Sequence, residues 1–247
     1  MTSARTARED RATKVAAVRA AAERSQHRRR RSVAAALAVV VLLLVVGVGA
    51  LVQAGRDGST ATAAAPRGTT GTAGQSIPVG RPQAPVTVAV YEDFQCPACK
   101  AFEQSTGATL TSLVDQGKVR VDYRPIAILD RFSSTEYSTR ALSAAGCVVD
   151  QAPNAYAAFH DALFAEQPAE NSAGLTDARL AEVATRAGAP AAASCITDRR
   201  FTGWAGRVTD QSSKDQVTGT PTVLVAGKAL DDTSPQGLQA AVAAAAR

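Results

Sequence analysis

The longest apolar run in the chain covers residues 33–52, which are all Ala, Val, Leu or Gly with no charge among them. At about 1.5 Å per residue, a helix of that length spans roughly the 30 Å hydrocarbon core of a bilayer. The pattern predicts a single N-terminal transmembrane helix. A cleaved secretory leader is the rival reading, because Val52-Gln53-Ala54 offers the small flanking residues of a cleavage site. The run is longer than the usual apolar core of such leaders, about 7–15 residues, and the segment before it is also long. Residues 53–76 are mostly Gly, Ala, Thr and Ser with one Pro. A stretch without large apolar side chains cannot offset the entropy of ordering, which predicts a flexible linker. Gly68, Gly71 and Gly74 do not form a phosphate loop there, since no strand precedes them and no lysine follows at the required spacing.

Beyond residue 77 the periodicity is that of an α/β domain. Residues 86–91 are β-branched and apolar and follow Pro85, which predicts a buried strand. A helical stretch then runs to about Asp115 and stops before Gly117. Residues 119–123 alternate apolar and polar, predicting a second strand closed by Pro125. From about 136 to 216 the chain is Ala-rich. Helices are expected at 137–150, 155–165, 177–187 and 191–198, punctuated by Pro153, Pro168, Gly188 and Pro190. Strand character returns at 221–225, followed by the turn Ala226-Gly227-Lys228. A closing helix over 234–246 has Ser234 as its N-cap and Pro235 at its first position. The predicted outline is β-α-β, a helical insert, then β-β-α.

Charge refines the picture of the N-terminus. The formal net charge of +5 is concentrated in residues 1–32, which hold 10 Lys and Arg against 3 Asp and Glu, leaving 17 against 19 elsewhere. The basic residues therefore mark a tail, which argues against a nucleic-acid-binding globular domain. Four arginines, Arg28 to Arg31, precede the apolar run and are expected to stay cytoplasmic, placing everything after residue 52 outside the membrane. Four cysteines make an even number in a compartment where disulfides persist.

The sharpest chemical feature is Cys96-Pro97-Ala98-Cys99, directly after the first buried strand. Cys96 is expected to cap the following helix, where unpaired backbone N–H groups favour the nucleophilic thiolate. Cys99 falls one helical turn on, in reach of a mixed disulfide formed on Cys96. A structural disulfide here would close a very short loop and constrain little. A structural zinc site normally needs four ligands, and Cys147 and Cys195 stand alone. Gly219-Thr220-Pro221-Thr222 opens the later strand, where a proline cannot donate to the ladder. Either a cis Thr220–Pro221 bond or a trans proline at the strand start accounts for it.

Two segments, SIPVGRPQAPVTVAVYEDFQCPACK at 76–100 and TGTPTVLVAGK at 218–228, together with FHDALF at 159–164, resemble the DsbA-like branch of the thioredoxin superfamily. The resemblance runs from about Ile77 to the C-terminus. It implies a thioredoxin-like fold with an α-helical insertion, Cys96 as attacking thiol and Cys99 as resolving thiol. It also implies a cis Pro221 facing Cys96, with the Thr220 backbone free to pair with an extended substrate. An N-terminal tether and a second cysteine pair in the insert are features shared with exported actinobacterial members. The chain departs from the strongly oxidising enterobacterial pattern in having Pro97-Ala98, without histidine, between the cysteines. It also has Val90 six residues before the first cysteine, where many relatives carry a buried acid.

Cys147 and Cys195 both fall in the insert and are read as a structural disulfide rather than a second redox pair. His160 is expected to pack or to sit on a helix surface rather than act as a base, and Trp204 to pack within the insert. With only two histidines in the chain, a histidine-built metal centre is not expected, and neither is a cofactor. The expected activity is disulfide formation in exported proteins, with reoxidation by a membrane quinone-linked partner as the family resemblance implies. Reduction or isomerisation, for example in cytochrome or copper-site maturation, is the alternative. A thioredoxin-fold binding module that has lost turnover is a third reading. The expected partners are exported proteins with free thiols or disulfides, a membrane redox partner, and the bilayer through 33–52.

Overall fold

A computed structural model describes residues 63–247, together with Gly47. The transmembrane assignment at 33–52 and the basic tail at 1–32 lie outside the described residues. Among the described residues no helix is long and apolar enough to cross a membrane.

Five strands form one sheet in the order β1-β3-β2-β4-β5. They are β1 (Ile77–Val79), β2 (Val86–Glu92), β3 (Val119–Pro125), β4 (Thr222–Val225) and β5 (Lys228–Ala229). β2 is central, parallel to β3 with Val90 opposite Tyr123, and antiparallel to β4 with Val90 opposite Val223. Six of its seven residues are buried, which is why it reads as a continuous apolar run rather than an alternating one. The β2–β3 crossover is helical: α1 (Pro97–Phe102), a π turn (Glu103–Gly107) and α2 (Ala108–Asp115). Gly117, at φ 69°, ends that run before β3 begins.

The insert consists of α3 (Tyr137–Gln151), α4 (Tyr156–Ala165), α5 (Asp177–Arg186), α6 (Ala193–Thr197) and α7 (Thr202–Lys214). α3 is its hub, with all four other helices packed on it. A helix covered on nearly every side carries apolar and small residues around its circumference, as the run Ala141 to Val149 does. Close packing explains Gly146, where a Cβ would lie 2.9 Å from Trp204 Cζ3 and 3.1 Å from Phe201 Cβ. The closing helix α8 (Pro235–Ala245) begins as its sequence suggests, with the Ser234 hydroxyl accepting the Gly237 N–H at 3.2 Å. Cys147 on α3 and Cys195 on α6 are joined by a disulfide with a Cα–Cα distance of 5.7 Å.

One expectation needs correction. The stretch 53–76 is read from composition as a flexible linker, yet its described part, 63–76, is packed against the insert. Pro66 is buried, and Thr70 and Ser76 form an antiparallel bridge. Arg67 pairs with Asp150 at 3.1 Å, and the Trp204 indole N–H donates to Gly74 O at 3.1 Å. Arg207 donates to Ala73 O at 3.2 Å and also reaches Ala63 O. The segment has no large apolar side chains to order itself, so order comes mainly from donors on α7 that satisfy its backbone carbonyls. Trp204 thus packs on this segment as well as within the insert.

Candidate active site: a dithiol at a strand–helix junction

The end of β2 sets the site. After Glu92 the chain turns on Asp93, whose Oδ1 accepts Gln95 N–H at 2.9 Å while its carbonyl accepts Cys96 N–H at 2.9 Å. That turn leaves Cys96 in an extended conformation, φ −75° and ψ 117°, as the residue before the helix, with Pro97 at the first helical position. The other oxygen of Asp93 accepts the Ile128 and Leu129 N–H groups at 2.9 and 3.0 Å, and the Ser138 hydroxyl reaches Oδ1 at 2.7 Å. This carboxyl therefore ties three segments together around the dithiol. Its pKa is pushed up to about 6, burial outweighing the hydrogen bonds from Ser138 and the backbone. Gln167, from the loop after α4, completes the frame by donating to Phe94 O at 3.1 Å and Cys96 O at 2.9 Å.

Cys96 and Cys99 are both free thiols and both mostly covered, Cys96 at 7% exposure and Cys99 at 1%. The Thr220–Pro221 peptide is cis and lies across from the junction, with Thr220 O 3.3 Å from Cys96 Sγ. The structure thus brings together Cys96, Cys99, Thr220 and Pro221, residues more than 120 apart in sequence.

The two thiols are strongly inequivalent. The Cys96 thiol is lowered from 9.0 to about 5. A hydrogen bond from the Cys99 thiol does most of this, burial opposes it, and the Thr220 side chain and the N–H groups of Cys99 and Ala98 add to it. Cys99 moves the other way, far above its ordinary range, because it supplies that hydrogen bond and is buried. At neutral pH the pair is one thiolate and one thiol sharing a proton. Iodoacetamide alkylation of the reduced chain should therefore follow a single deprotonation centred near pH 5. A midpoint near the ordinary thiol value would remove the thiolate from the account. Linkage has a definite sign here. Folding depresses this pKa, so its stabilisation of the reduced protein is complete above about pH 9 and fades as pH falls towards 5.

Neither Val90, buried in β2, nor Asp93, engaged by backbone N–H groups and the Ser138 hydroxyl, supplies a titrating partner to the thiols. Glu92 turns towards α4, where His160 Nε2 lies 3.0 Å from its carboxylate. His160 is fully buried, against the Tyr123 ring at 4.3 Å and the Phe164 ring at 5.0 Å. Burial disfavours its charged form, but Glu92 and Asp161 outweigh this and push its pKa up to about 10. Sequence reasoning missed Gln95, Ser138 and Gln167 as parts of the frame. The Asp93 turn alone had a local signal, an Asp three residues before the capping position.

A low-pKa sulfur beside a buried partner thiol, at a helix start and opposite the Thr220 carbonyl, is built for thiol–disulfide exchange. The thioredoxin family profile matches residues 72–244. The solved reduced form of the disulfide bond oxidoreductase DsbG of Mycobacterium tuberculosis is 36% identical at a TM-score of 0.63. That match covers 69% of this chain and 87% of the other. Reduced DsbA from the same organism is 33% identical at a TM-score of 0.59, over 69% of this chain and 99% of that one. The M. tuberculosis serine/threonine-protein kinase PknE is 35% identical over 170 residues, 65% of this chain, but the match spans only 30% of the kinase. The chain belongs to the thioredoxin family, within its DsbA-like thiol–disulfide oxidoreductases.

Proposed function

We propose that this protein forms disulfides in exported proteins, donating the Cys96–Cys99 disulfide on the extracytoplasmic side of a membrane to which residues 33–52 tether it. The observation that carries the reading is the asymmetry of the two thiols. A thiolate stabilised on Cys96 favours the reduced dithiol, so the disulfide is given up readily. In the exchange, a substrate thiolate attacks Cys96 Sγ and the electron pair of the S–S bond leaves on Cys99 as its thiolate, which takes up a proton. A second substrate thiolate then attacks the mixed disulfide, the substrate disulfide forms, and Cys96 leaves as a thiolate. The resulting dithiol needs a membrane redox partner to reoxidise it.

The Thr220 carbonyl, 3.3 Å from the attacking sulfur, is placed to hold an extended substrate segment alongside it. The location is supported by the arginines before the apolar run and by the Cys147–Cys195 disulfide, which suits an oxidising compartment. A reduced, unfolded substrate incubated with the oxidised full chain in detergent should regain its disulfides while Cys96 and Cys99 become alkylatable in equal amount. Reduction of insulin without any oxidation of reduced substrate would place the protein among the reductases instead.

A further inference from the structure

Behind the dithiol lies a cluster of groups that thiol exchange does not use. Glu92 ends β2, Glu103 opens the π turn after α1, and His160 sits in the middle of α4. One ligand-capable atom from each lies within 4.8 Å of the others. Glu92 and His160 are essentially without solvent contact, both Glu92 carboxylate oxygens lie 3.0 Å from His160 Nε2, and Glu103 Oε1 is buried without a hydrogen-bond partner. The second ring nitrogen of His160 lies 3.2 Å from Asp161 Oδ1. A cavity of about 600 Å³, lined by Glu103, Asp161, Lys100 and Phe164 among others, opens beside the cluster.

We propose that Glu92, Glu103 and His160 bind one divalent transition-metal ion of the zinc or manganese class, with Asp161 orienting the histidine and water from the cavity completing the coordination.

Several independent features meet in this arrangement. A buried carboxylate oxygen without a partner, as on Glu103, costs free energy, and a cation held between the three side chains satisfies it. Two carboxylates and a neutral imidazole around a divalent ion sum to no net charge in a buried site. An imidazole with two carboxylates suits zinc or manganese better than calcium, which takes six to eight oxygen ligands as a rule. A carboxylate on the second nitrogen of a ligating histidine is a recurrent supporting contact. The expectation of no metal centre rests on the scarcity of histidines, and a site with a single histidine escapes that argument. Binding is an exchange without redox change: the ion enters and the Nε2 proton leaves to solvent. Because the three ligands come from the central strand, the dithiol helix run and the insert, a bound ion would pin the insert to the sheet behind Cys99.

The test uses the full chain in detergent, treated with EDTA and then dialysed. It is kept oxidised so that the Cys96–Cys99 disulfide cannot ligate. Equilibrium dialysis with Zn²⁺, and separately with Mn²⁺, should show one equivalent bound, with a rise in melting temperature that EDTA reverses. Glu103→Gln should weaken binding at least about tenfold, as removal of a first ligand does, and Asp161→Asn about 10–100-fold through the histidine. Asp161 is exposed, so its variant is expected to fold, and circular dichroism in EDTA checks both variants. Absence of stoichiometric binding to the oxidised protein would overturn the proposal, leaving protons to neutralise the cluster. Binding unchanged in both variants would overturn it too, placing the ion elsewhere, such as at His27.

Discussion

Cys96→Ser is expected to abolish disulfide exchange, lowering turnover in oxidative refolding by about a thousandfold or more, because a hydroxyl does not replace a thiolate as attacker or leaving group at sulfur. Its asymmetric counterpart is as informative. Cys99→Ser leaves the Cys96 nucleophile in place but removes the group that resolves it, so with a disulfide-bonded substrate, one of whose sulfurs leaves as a thiolate, mixed disulfides should accumulate and be visible as reducible adducts. It should also raise the Cys96 pKa, since the Cys99 thiol contributes most to lowering it. Cys96→Ser should melt below the reduced wild type at neutral pH, because it loses the stabilised thiolate. A Cys96→Ser protein with undiminished turnover would mean that the chemistry lies elsewhere. Equal trapping by both single variants would contradict the assignment of attacker and resolver.

The second large effect concerns stability. Replacing both Cys147 and Cys195 by alanine opens a loop with a sequence separation of 48. The chain-entropy model assigns such a loop about 4 kcal/mol. For an ordered domain of this size each kcal/mol moves the melting temperature by about 2–4 °C, so a drop on the order of 10 °C is expected. Both sulfurs are buried in the insert, away from the junction that carries Cys96, and turnover below the new melting temperature should be largely retained. Loss of exchange in a still-folded variant would instead make this pair part of the redox chemistry.

How far the site can be read from the sequence depends on how local its signals are. Cys96, Pro97 and Cys99 lie within four residues and directly after a strand, so spacing alone conveys their chemistry. Thr220 and Pro221 are legible through the resemblance of TGTPTVLVAGK at 218–228 to the DsbA-like branch, since a proline at a strand start is by itself an ordinary placement. The helix ends at Ser234 and Pro235 follow from the same local rules. Nothing local announces the contact between Glu92 and His160, separated by 68 positions, or that of Gln167 with Cys96, separated by 71. Each of these residues looks like an ordinary polar side chain until the fold brings its partner within 3 Å or so. Residues 63–76 show the same limit from the other side. Their composition speaks against order, and the groups that supply it, Trp204 and Arg207, lie more than 100 residues downstream. The π turn at Glu103–Gly107 also has no sequence signature, yet it places Glu103 beside the buried cluster.

The claim that the protein donates its disulfide is tested most directly by the reduction potential of the Cys96–Cys99 pair. The full chain would be equilibrated in graded glutathione buffers and its free thiols trapped and counted. A stabilised Cys96 thiolate predicts a potential towards the oxidising end, about −120 to −180 mV. A value near or below about −270 mV, in the range of a reducing thioredoxin, would contradict the account and make reduction the working direction of the site.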